Sequence, residues 1–196
     1  YAHKSGIIIK GDLPIGVGRY SADAWMYRSI FHMDMQAGAP PDAFATKGQN
    51  WSFPTYNWEK MAEDDYAWWR QRMEHMGNYF DAIRIDHVLG FFRIWSIPMN
   101  AIEGILGKFV PAWPLSQQDF NKEGVHFNED RFCNPFITEQ LLYDWFGENA
   151  AVVKDNFLQN YQFKEEFNTQ RKIADYFIKN TEHAALQQGL FDLLSN

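Results

Sequence analysis

The stretch Asp81-Ala-Ile-Arg-Ile-Asp-His-Val-Leu-Gly-Phe-Phe-Arg-Ile-Trp95 predicts a buried strand that ends in charged side chains. Side chains alternate across a strand, so Arg84 and Asp86 point one way and His87 points the other. A nearby cation keeps a carboxylate ionised at neutral pH, which suits a nucleophile or an electrostatic stabiliser and not a proton donor. An ordinary ion pair at a strand end has the same spacing, so the spacing alone leaves both interpretations open.

An earlier stretch predicts a second strand. The run Gly6-Ile-Ile-Ile-Lys10 is apolar and is stopped by Gly11-Asp-Leu-Pro14, a pattern typical of a parallel strand buried on both faces. With a crossover helix between them, this strand and the strand over 82–86 would form a βαβ unit. Asp12 and Asp86 would then lie at corresponding carboxyl ends of the strands, where barrel enzymes place their chemistry.

The crossover helix is predicted from about Glu63 to Phe80. Aromatic and methionine side chains recur there at helical spacing and would form its buried stripe, with charged side chains outside. The stripe consists of Tyr66, Trp69, Met73, Met76 and Phe80, and the outer residues are Arg70, Arg72 and Glu74.

About 45 residues rich in Gly, Pro and Asp separate the first strand from this helix, too many for a plain connection. We expect a functional excursion there. Trp51 lies in a Gly-Gln-Asn-Trp-Ser turn where regular structure is not expected. Aromatic faces stack on sugar rings, and the 17% aromatic content suits a carbohydrate site as well as a packed core. For Trp51 the turn favours sugar contact over core packing.

Beyond Ala101 the strand signals disappear and helices are predicted. Helix starts are expected at Ser116 and at Thr138, the second helix being closed by Gly147. Three later segments also have helical spacing. They cover 150–161, 169–179 and 181–194.

Composition excludes several classes of partner. A net charge of −7 argues against nucleic acid and against an anionic membrane, because both require a cationic surface. No run approaches the roughly 20 apolar residues of a membrane helix, and no signal peptide is visible. The single cysteine, Cys133, cannot form an internal disulfide, so a reducing cytoplasm is expected. No His, Cys and carboxylate grouping has metal spacing, and no cofactor is expected.

Several motifs in register resemble one family. These are Gly11-Asp-Leu-Pro-Ile-Gly-Val17, Ser21-Ala-Asp-Ala-Trp25, Ala37-Gly-Ala-Pro-Pro-Asp42, Gly48-Gln-Asn-Trp51 and Arg84-Ile-Asp-His87. The chain resembles the 4-alpha-glucanotransferases of glycoside hydrolase family 77, also called amylomaltases or disproportionating enzymes. The resemblance is strong through about Pro98. Three further stretches are most similar to the disproportionating-enzyme-2 branch of plants and Bacteroides-type bacteria: Phe53-Pro-Thr-Tyr-Asn-Trp58, Tyr66-Ala-Trp-Trp69 and Gly90-Phe-Phe-Arg-Ile-Trp95.

The resemblance implies an α/β fold, namely a partial (β/α)8 TIM barrel carrying about strands 3 and 4, with an α-helical insertion. Residues 1–100 would be the barrel segment, with a substrate loop at 37–58 and the nucleophile strand at 82–87. Residues 101–196 would be a mainly helical annex.

It also implies roles for matching residues. Asp86 would be the nucleophile that forms a covalent glucosyl intermediate, and Arg84 would orient it. Asp12 would line the site, and His87 would hydrogen-bond a sugar hydroxyl at the cleavage point. The substrate loop would contact a maltooligosaccharide or α-glucan through Asp42, Phe44, Gln49, Asn50 and Trp51. Two departures, Ala43 where some relatives carry tyrosine and Ser52 where glycine is common, put the loop conformation in question.

One catalytic group is missing from the sequence. Retaining glycosidic chemistry needs a second carboxyl group about 5–5.5 Å from the nucleophile. The family supplies it from a Gly-Glu-Asp-Leu-Gly motif and a third carboxylate from a Thr-His-Asp segment, and neither occurs here. Glu103 and Glu148 lie in unrelated contexts. We therefore expect a central excerpt of a larger enzyme, inactive alone, whose remaining chain supplies the acid/base.

The parent is expected to transfer α-1,4-glucan segments between maltooligosaccharides. Two alternatives remain open at this point. One is an amylase-like α-glucan hydrolase, because the wider clan shares the Arg-x-Asp-His chemistry. The other is a non-catalytic carbohydrate-binding segment.

Overall fold

The protein, described here from a computed structural model of residues 1–196, is an α/β fold with mixed helices and sheets that divides into two compact units. Unit 1 comprises Tyr1–Met99 and Gly107–Ala112, and unit 2 comprises Asn100–Leu106 and Trp113–Asn196. Each unit buries its own cluster of apolar side chains. None of the helices has the length and hydrophobicity that crossing a bilayer requires.

Unit 1 contains eight strands and three α-helices. In chain order they are β1 Lys10–Leu13, α1 Ala22–Met26, β2 Phe31–His32, β3 Met35–Ala39, β4 Gln49–Asn50, β5 Thr55–Tyr56, α2 Trp58–Ala62, α3 Ala67–Gly77, β6 Ala82–Ile85, β7 Ile94–Pro98 and β8 Lys108–Val110. Short 3₁₀ helices cover His3–Ser5, Arg28–Ile30 and Val88–Phe91.

Strands β1 and β6 pair in parallel, which confirms the predicted parallel arrangement. The register sets Lys10 opposite Ala82 and Asp12 opposite Arg84. Gly11 permits this pairing, because a Cβ there would lie 2.4 Å from the Phe80 ring.

The predicted first strand at 6–10 was wrong in position, since the ladder begins at Lys10. The preceding isoleucines are exposed, at 53% for Ile7 and 74% for Ile8. Apolar runs indicate where a chain can be buried, but pairing starts where a partner backbone is available. That partner is Asp81, whose N–H donates to the Ile9 carbonyl at 2.9 Å and whose carboxylate accepts the Ile9 N–H at 2.9 Å. Asp12 therefore lies within its strand and not past its end.

The expectation of a buried second strand was also wrong. In β6 only Ile83 is partly buried, and Ile85 is 41% exposed. The two strands form a sheet of their own, so no third strand covers the outer edge of β6.

The long connection contains regular structure that the sequence did not predict. Strands β4, β3, β7 and β8 form a four-stranded antiparallel sheet in that order, and β2 pairs with β5. Gly38 makes the sheet possible, because a Cβ there would lie 2.0 Å from the Gln49 carbonyl oxygen. Strands β2, β4 and β5 are two residues long, too short to leave a periodic signal, and β3 buries three consecutive residues, so it shows no alternation.

The crossover helix is shorter than the sequence predicts. It begins at Ala67 because Asp65 and Tyr66 adopt left-handed backbone conformations, with φ of 56° and 58°, which separate it from α2. Trp69 is buried as expected, whereas Tyr66 is 42% exposed. Arg72 was expected outside but is partly buried, with its guanidinium 5.1 Å from the Trp68 ring centre. Met73 and Met76 pack partly buried against the core.

Unit 2 is mainly helical and also holds one hairpin. Its elements are α4 Gln117–Lys122, α5 Glu129–Phe132, α6 Glu139–Phe146, α7 Ala150–Phe157, β9 Leu158–Gln159, β10 Gln162–Phe163, α8 Gln170–Lys179 and α9 Gln187–Leu194. Its 3₁₀ helices cover Gly104–Leu106, Gly147–Asn149, Glu165–Phe167 and Ala184–Leu186.

The predicted helix starts at Ser116 and Thr138 are confirmed. Ser116 forms a capping box with Asp119, and the Thr138 hydroxyl accepts the Leu141 N–H. The expectation that strands end before Ala101 was wrong, because β8 and the β9–β10 hairpin follow it.

A buried amide organises unit 2. Gln170 is fully buried, and its Oε1 accepts the backbone N–H groups of Ile102 at 2.8 Å and Glu103 at 2.9 Å. Its Nε2 donates to the Glu103 carboxylate at 2.8 Å. Every polar atom of this side chain is thereby satisfied, as burial requires. The Glu103 carboxylate also accepts from Gln188, so it serves structure in unit 2.

Candidate active site

Arg84 lies between two carboxylates at the β1–β6 ladder. Its Nε donates to Asp12 at 2.8 Å and its Nη2 donates to Asp12 at 2.6 Å. The same Nη2 lies 3.4 Å from a carboxylate oxygen of Asp86. The strand register explains this arrangement, because Asp12 faces Arg84 across the ladder and Asp86 follows on the same side of β6.

The charges in this group reinforce one another. The hydrogen bonds from Arg84 hold the pKa of the Asp12 carboxyl below its ordinary value, and those with Asp12 raise the pKa of Arg84. About half of each side chain is exposed, so a ligand can reach the carboxylates. The sequence suggested Arg84 as the partner of Asp86. In the structure Arg84 makes two hydrogen bonds to Asp12 and only one, longer contact with Asp86.

The backbone turns sharply directly after Asp86. The Asp86 N–H donates to the Leu13 carbonyl at 3.0 Å, which extends the ladder by one bond. His87 then adopts a left-handed conformation, with φ of 46°, and starts the 3₁₀ turn Val88–Phe91. Gly90 allows the turn to pack closely, because a Cβ there would lie 2.8 Å from Ile15 and 3.0 Å from the His87 ring.

His87 brings the strand end into contact with the long excursion. Its ring meets the Trp51 ring edge to face, with centroids 4.9 Å apart and planes at 84°. On another side, Trp51 stacks on Phe53 at 5.7 Å. Trp51 is partly buried, and its Nε1 donates to Gln49 Oε1 at 3.0 Å. The structure therefore joins Trp51 and Gln49 to the residue that follows Asp86.

Local hydrogen bonds define the backbone around Trp51. The Ser52 N–H donates to Asn50 Oδ1 at 2.9 Å, and Ser52 has a φ of 64°. Glycine adopts that conformation without strain, which explains why it suits this position. Here the serine is held there by the Asn50 side chain and by the contact of its own carbonyl with Arg19.

Arg19 is a residue of this region that sequence reasoning missed. Its guanidinium donates to three backbone carbonyls, those of Ser52 at 3.2 Å, Met33 at 2.6 Å and Met35 at 2.5 Å. It fastens the Trp51 turn to the start of β3. No sequence signal marks it, because an arginine that binds main-chain carbonyls needs no partner side chain.

Two residues expected in the substrate loop do not join the cluster. Asp42 shapes its own loop, with its carboxylate accepting the N–H groups of Phe44 at 2.8 Å and Ala45 at 2.6 Å. The Phe44 side chain is fully exposed. Neither contacts Asp12, Arg84 or Asp86.

A separate groove in unit 1 has a different character. It measures about 440 Å³ and is lined mainly by aromatic and methionine side chains. Trp58, Trp69, Met73 and Phe91 are among them, and none of the charged residues at the β1–β6 ladder is. Its apolar walls offer few groups to a sugar hydroxyl.

The arrangement defines what the site can do. Asp86 presents an accessible carboxylate beside a guanidinium, and the next residue along the chain, His87, contacts the Trp51 ring. Such a group suits a neutral polyhydroxyl ligand and a nucleophilic carboxylate. No cluster of His, Cys, Asp or Glu side chains is arranged to hold a metal ion.

Comparison with known proteins gives a consistent result. Residues 1–189 match the model of glycoside hydrolase family 77, described as 4-alpha-glucanotransferase. The rice protein 4-alpha-glucanotransferase DPE2 (Oryza sativa subsp. japonica) is 47% identical, in an alignment that covers 100% of this chain and 22% of the rice protein. A 4-alpha-glucanotransferase of Chlamydia pneumoniae is 39% identical over 64% of this chain and 22% of its own length.

A solved structure agrees. The amylomaltase from Streptococcus agalactiae in complex with acarbose superposes with a TM-score of 0.53 at 26% identity, covering 82% of this chain and 37% of that one. Measured against the rice and Chlamydia pneumoniae proteins, this chain spans about a fifth of their length.

Proposed function

The chain belongs to glycoside hydrolase family 77, the 4-alpha-glucanotransferases, and we propose that it carries the nucleophile segment of an enzyme that transfers α-1,4-glucan between maltooligosaccharides. The observation that carries this proposal is the Asp12–Arg84–Asp86 group, which is followed directly along the chain by His87 in contact with Trp51. It combines an accessible carboxylate with an aromatic ring suited to sugar.

In this proposal Asp86 attacks the anomeric carbon of the donor glucan and forms a glucosyl ester, while the glycosidic bond breaks and the leaving sugar takes a proton. The 4-hydroxyl of an acceptor then attacks the same anomeric carbon and gives its proton to the group that protonated the leaving sugar, which breaks the bond to Asp86 and restores the α linkage. Double inversion explains retention of configuration. Arg84 orients the carboxylate through the 3.4 Å contact of its Nη2 with Asp86.

The neighbouring residues have supporting roles. Asp12 anchors Arg84 through its two hydrogen bonds and lines the site. His87 donates or accepts a hydrogen bond at a sugar hydroxyl, and Trp51 supplies a stacking face. The remaining proposed substrate contacts are Asp42, Phe44, Gln49 and Asn50. Of these, Gln49 and Asn50 act mainly by holding the Trp51 turn.

The proposal includes an architecture. We infer that β1 and β6 are neighbouring strands, about the third and fourth, of a (β/α)8 barrel. Their parallel pairing and the position of Asp86 at a carboxyl end support this. Residues 1–100 would form the barrel segment, with the substrate loop at 37–58 and the nucleophile strand at 82–87, and residues 101–196 would form a helical annex.

The proton donor has to come from outside residues 1–196. The family's Gly-Glu-Asp-Leu-Gly motif does not occur in the sequence, and Glu103 is held by Gln170 and Gln188 in unit 2. We propose that other parts of the enzyme supply the acid/base. A cytoplasmic setting completes the proposal and suits a chain whose one cysteine, Cys133, is free.

Product analysis of the complete enzyme with maltotriose tests the function. We expect glucose together with maltooligosaccharides longer than maltotriose, with no net rise in reducing ends. The variant Asp86→Asn, which is nearly isosteric but cannot form the ester, should lower the rate at least about a thousandfold. Maltotriose binding should persist in that variant.

Three results would contradict parts of the proposal. Reducing ends that rise without longer oligomers would identify an amylase-like hydrolase. Binding of maltotriose without any turnover by the wild-type enzyme would identify a non-catalytic carbohydrate-binding protein. Normal turnover by Asp86→Asn would remove Asp86 from the nucleophile role.

A further inference from the structure

Unit 2 contains a cleft that the chemistry described above does not use. It has a volume of about 630 Å³, within the roughly 300–1,000 Å³ range of small-molecule sites. Its walls come from the segment 134–137, which follows α5, and from the β9–β10 hairpin.

The cleft walls combine aromatic rings with free amides. Phe136, Tyr161 and Phe163 line it, and Phe136 is 42% exposed. The side-chain amides of Asn134 and Gln162 also line it, are exposed, and make no hydrogen bond within the chain. Amides both donate and accept, so unpartnered ones beside aromatic faces suit a ligand with many neutral hydroxyl groups.

The charge of the cleft excludes anionic ligands. Asp130 is the one charged residue in its lining. A lone carboxylate repels phosphate and other anions but accepts hydrogen bonds from hydroxyl groups. The cationic groups nearby are already engaged, since the Arg131 guanidinium lies 4.5 Å from the Phe136 ring centre and Lys172 Nζ is bound to Asn168 at 2.9 Å.

The hairpin holds Tyr161 in an unfavourable backbone conformation. Asn160 and Tyr161 form its turn with φ of 51° and 59°. Asparagine tolerates this region, whereas a bulky residue there is uncommon. The Lys154 ammonium lies 5.1 Å from the Tyr161 ring centre and fixes the ring. The Tyr161 ring packs partly buried against the core of unit 2 and also lines the cleft.

We propose that this cleft is an accessory binding site for a neutral oligosaccharide, and specifically for the α-1,4-glucan chain that is the substrate under the proposed function. Tyr161 and Phe136 provide the stacking faces, and Asn134 and Gln162 hydrogen-bond the sugar hydroxyls. The site would hold a length of glucan in unit 2, independently of the nucleophile in unit 1.

Cys133 gives a local probe of this cleft. It is the chain's only cysteine, it is exposed, and it adjoins Asn134. A small trifluoromethyl tag on Cys133 of the 196-residue chain, followed by ¹⁹F NMR, reports on unit 2 alone. We expect a saturable shift on titration with maltoheptaose and no shift with the β-1,4-linked cellopentaose or with inorganic phosphate.

Variants test the assignment. Gln162→Ala and Tyr161→Ala should each weaken binding about fivefold or more, as loss of a stacking face or a paired amide implies. The Gln162 side chain is exposed and makes no hydrogen bond within the chain, so we expect its variant to fold normally and to keep the test decisive if Tyr161→Ala unfolds. Tyr143→Ala is the matched control, because Tyr143 is 66% exposed in the same unit and does not line the cleft.

The outcomes separate this proposal from the proposed function. Absence of a saturable shift with maltoheptaose, or equal losses in Gln162→Ala and Tyr143→Ala, would overturn the accessory site while leaving turnover by the complete enzyme unaffected. A shift with cellopentaose equal to that with maltoheptaose would overturn the α-glucan assignment. If the 196-residue chain shows the maltoheptaose shift but the complete enzyme does not turn over maltotriose, the accessory binding site is supported and the proposed function is refuted.

Discussion

Arg84 and Asp12 form a two-point ion pair across the β1–β6 ladder, at 2.8 and 2.6 Å. The register of the strands fixes this pair, and the 3.4 Å contact from Arg84 to Asp86 depends on it. Asp12 therefore acts as a positioning residue in the proposed mechanism. It holds the guanidinium in the orientation from which it reaches the proposed nucleophile.

Removal of the guanidinium should raise the pKa of Asp12. In Arg84→Met we expect the pKa of the Asp12 carboxyl to rise toward its ordinary value, because the hydrogen bonds that lower it are lost. A ¹³C carboxyl titration by NMR measures this. Asp119 is the control, since the Ser116 hydroxyl lowers its pKa and the substitution leaves that bond intact. An unchanged Asp12 titration would show that Arg84 does not control its charge.

The same pair sets a pH dependence of folding. The folded-state pKa of Asp12 lies below its unfolded value, so the pair stabilises the fold above about pH 4 and loses this effect as pH falls through the lowered pKa. The difference in free energy of unfolding between wild type and Arg84→Met, measured by urea denaturation, should therefore become smaller as the pH is lowered.

Arg19 should matter for the stability of the Trp51 turn. In Arg19→Ala three backbone carbonyls lose their donor, and we expect the free energy of unfolding to fall by about 1–3 kcal/mol. Hydrogen exchange of the Trp51 N–H, which donates to the Ala37 carbonyl, should also accelerate. Arg28 is exposed and its side chain makes no hydrogen bond or ion pair, so Arg28→Ala should stay within about 0.5 kcal/mol of wild type. Equal stability of both variants would contradict the proposed clamp.

Trp51→Ala should weaken glucan binding by the complete enzyme about five- to tenfold, the scale of a lost stacking face. The sequence favoured sugar contact over core packing for Trp51, but its ring packs on Phe53 and His87 and is partly buried. A moderate loss of stability is therefore expected as well. Calorimetric titration with maltoheptaose and thermal unfolding separate the two effects.

Trp69→Ala is the matched control for that experiment. Trp69 is 7% exposed in the core of unit 1, so its loss should cost about 3–5 kcal/mol of stability. The folded fraction of this variant should bind maltoheptaose normally. If Trp51→Ala behaves in the same way, then Trp51 is a packing residue and its proposed sugar contact is wrong.

The sequence predicts the parallel pairing of β1 and β6, because an apolar run directly precedes β1, a second apolar stretch covers β6, and a helical pattern lies between them. The strand and helix boundaries predicted from the sequence are wrong where tertiary contacts determine them. Asp81 starts the ladder at Lys10 through side-chain and backbone bonds to Ile9, and no apolar pattern encodes that. The left-handed backbone at Asp65 and Tyr66 likewise breaks one predicted helix into two.

The candidate site divides in the same way. Arg84 and Asp86 are two residues apart on one strand, so their proximity follows from alternation alone. The stronger partnership of Arg84 with Asp12 depends on strand register over 72 residues of separation, and Arg19 acts on carbonyls that any sequence supplies. Side-chain alternation alone predicts the proximity of Arg84 and Asp86. The Arg84–Asp12 pair and the Arg19 contacts become visible only in the folded structure.

The last prediction concerns the 196-residue chain by itself, which we expect to have neither glucanotransferase nor hydrolase activity. Asp86 would have to expel an alkoxide, because Glu103 is held by Gln170 and Gln188 and the family's acid motif does not occur in the sequence. Positioned acid–base help is typically worth about 10²–10⁴-fold. Chromatography of maltotriose incubated with the purified chain measures this, with the complete enzyme as the positive control. Turnover by the chain that Asp86→Asn abolishes would refute the expectation and require a proton donor within residues 1–196.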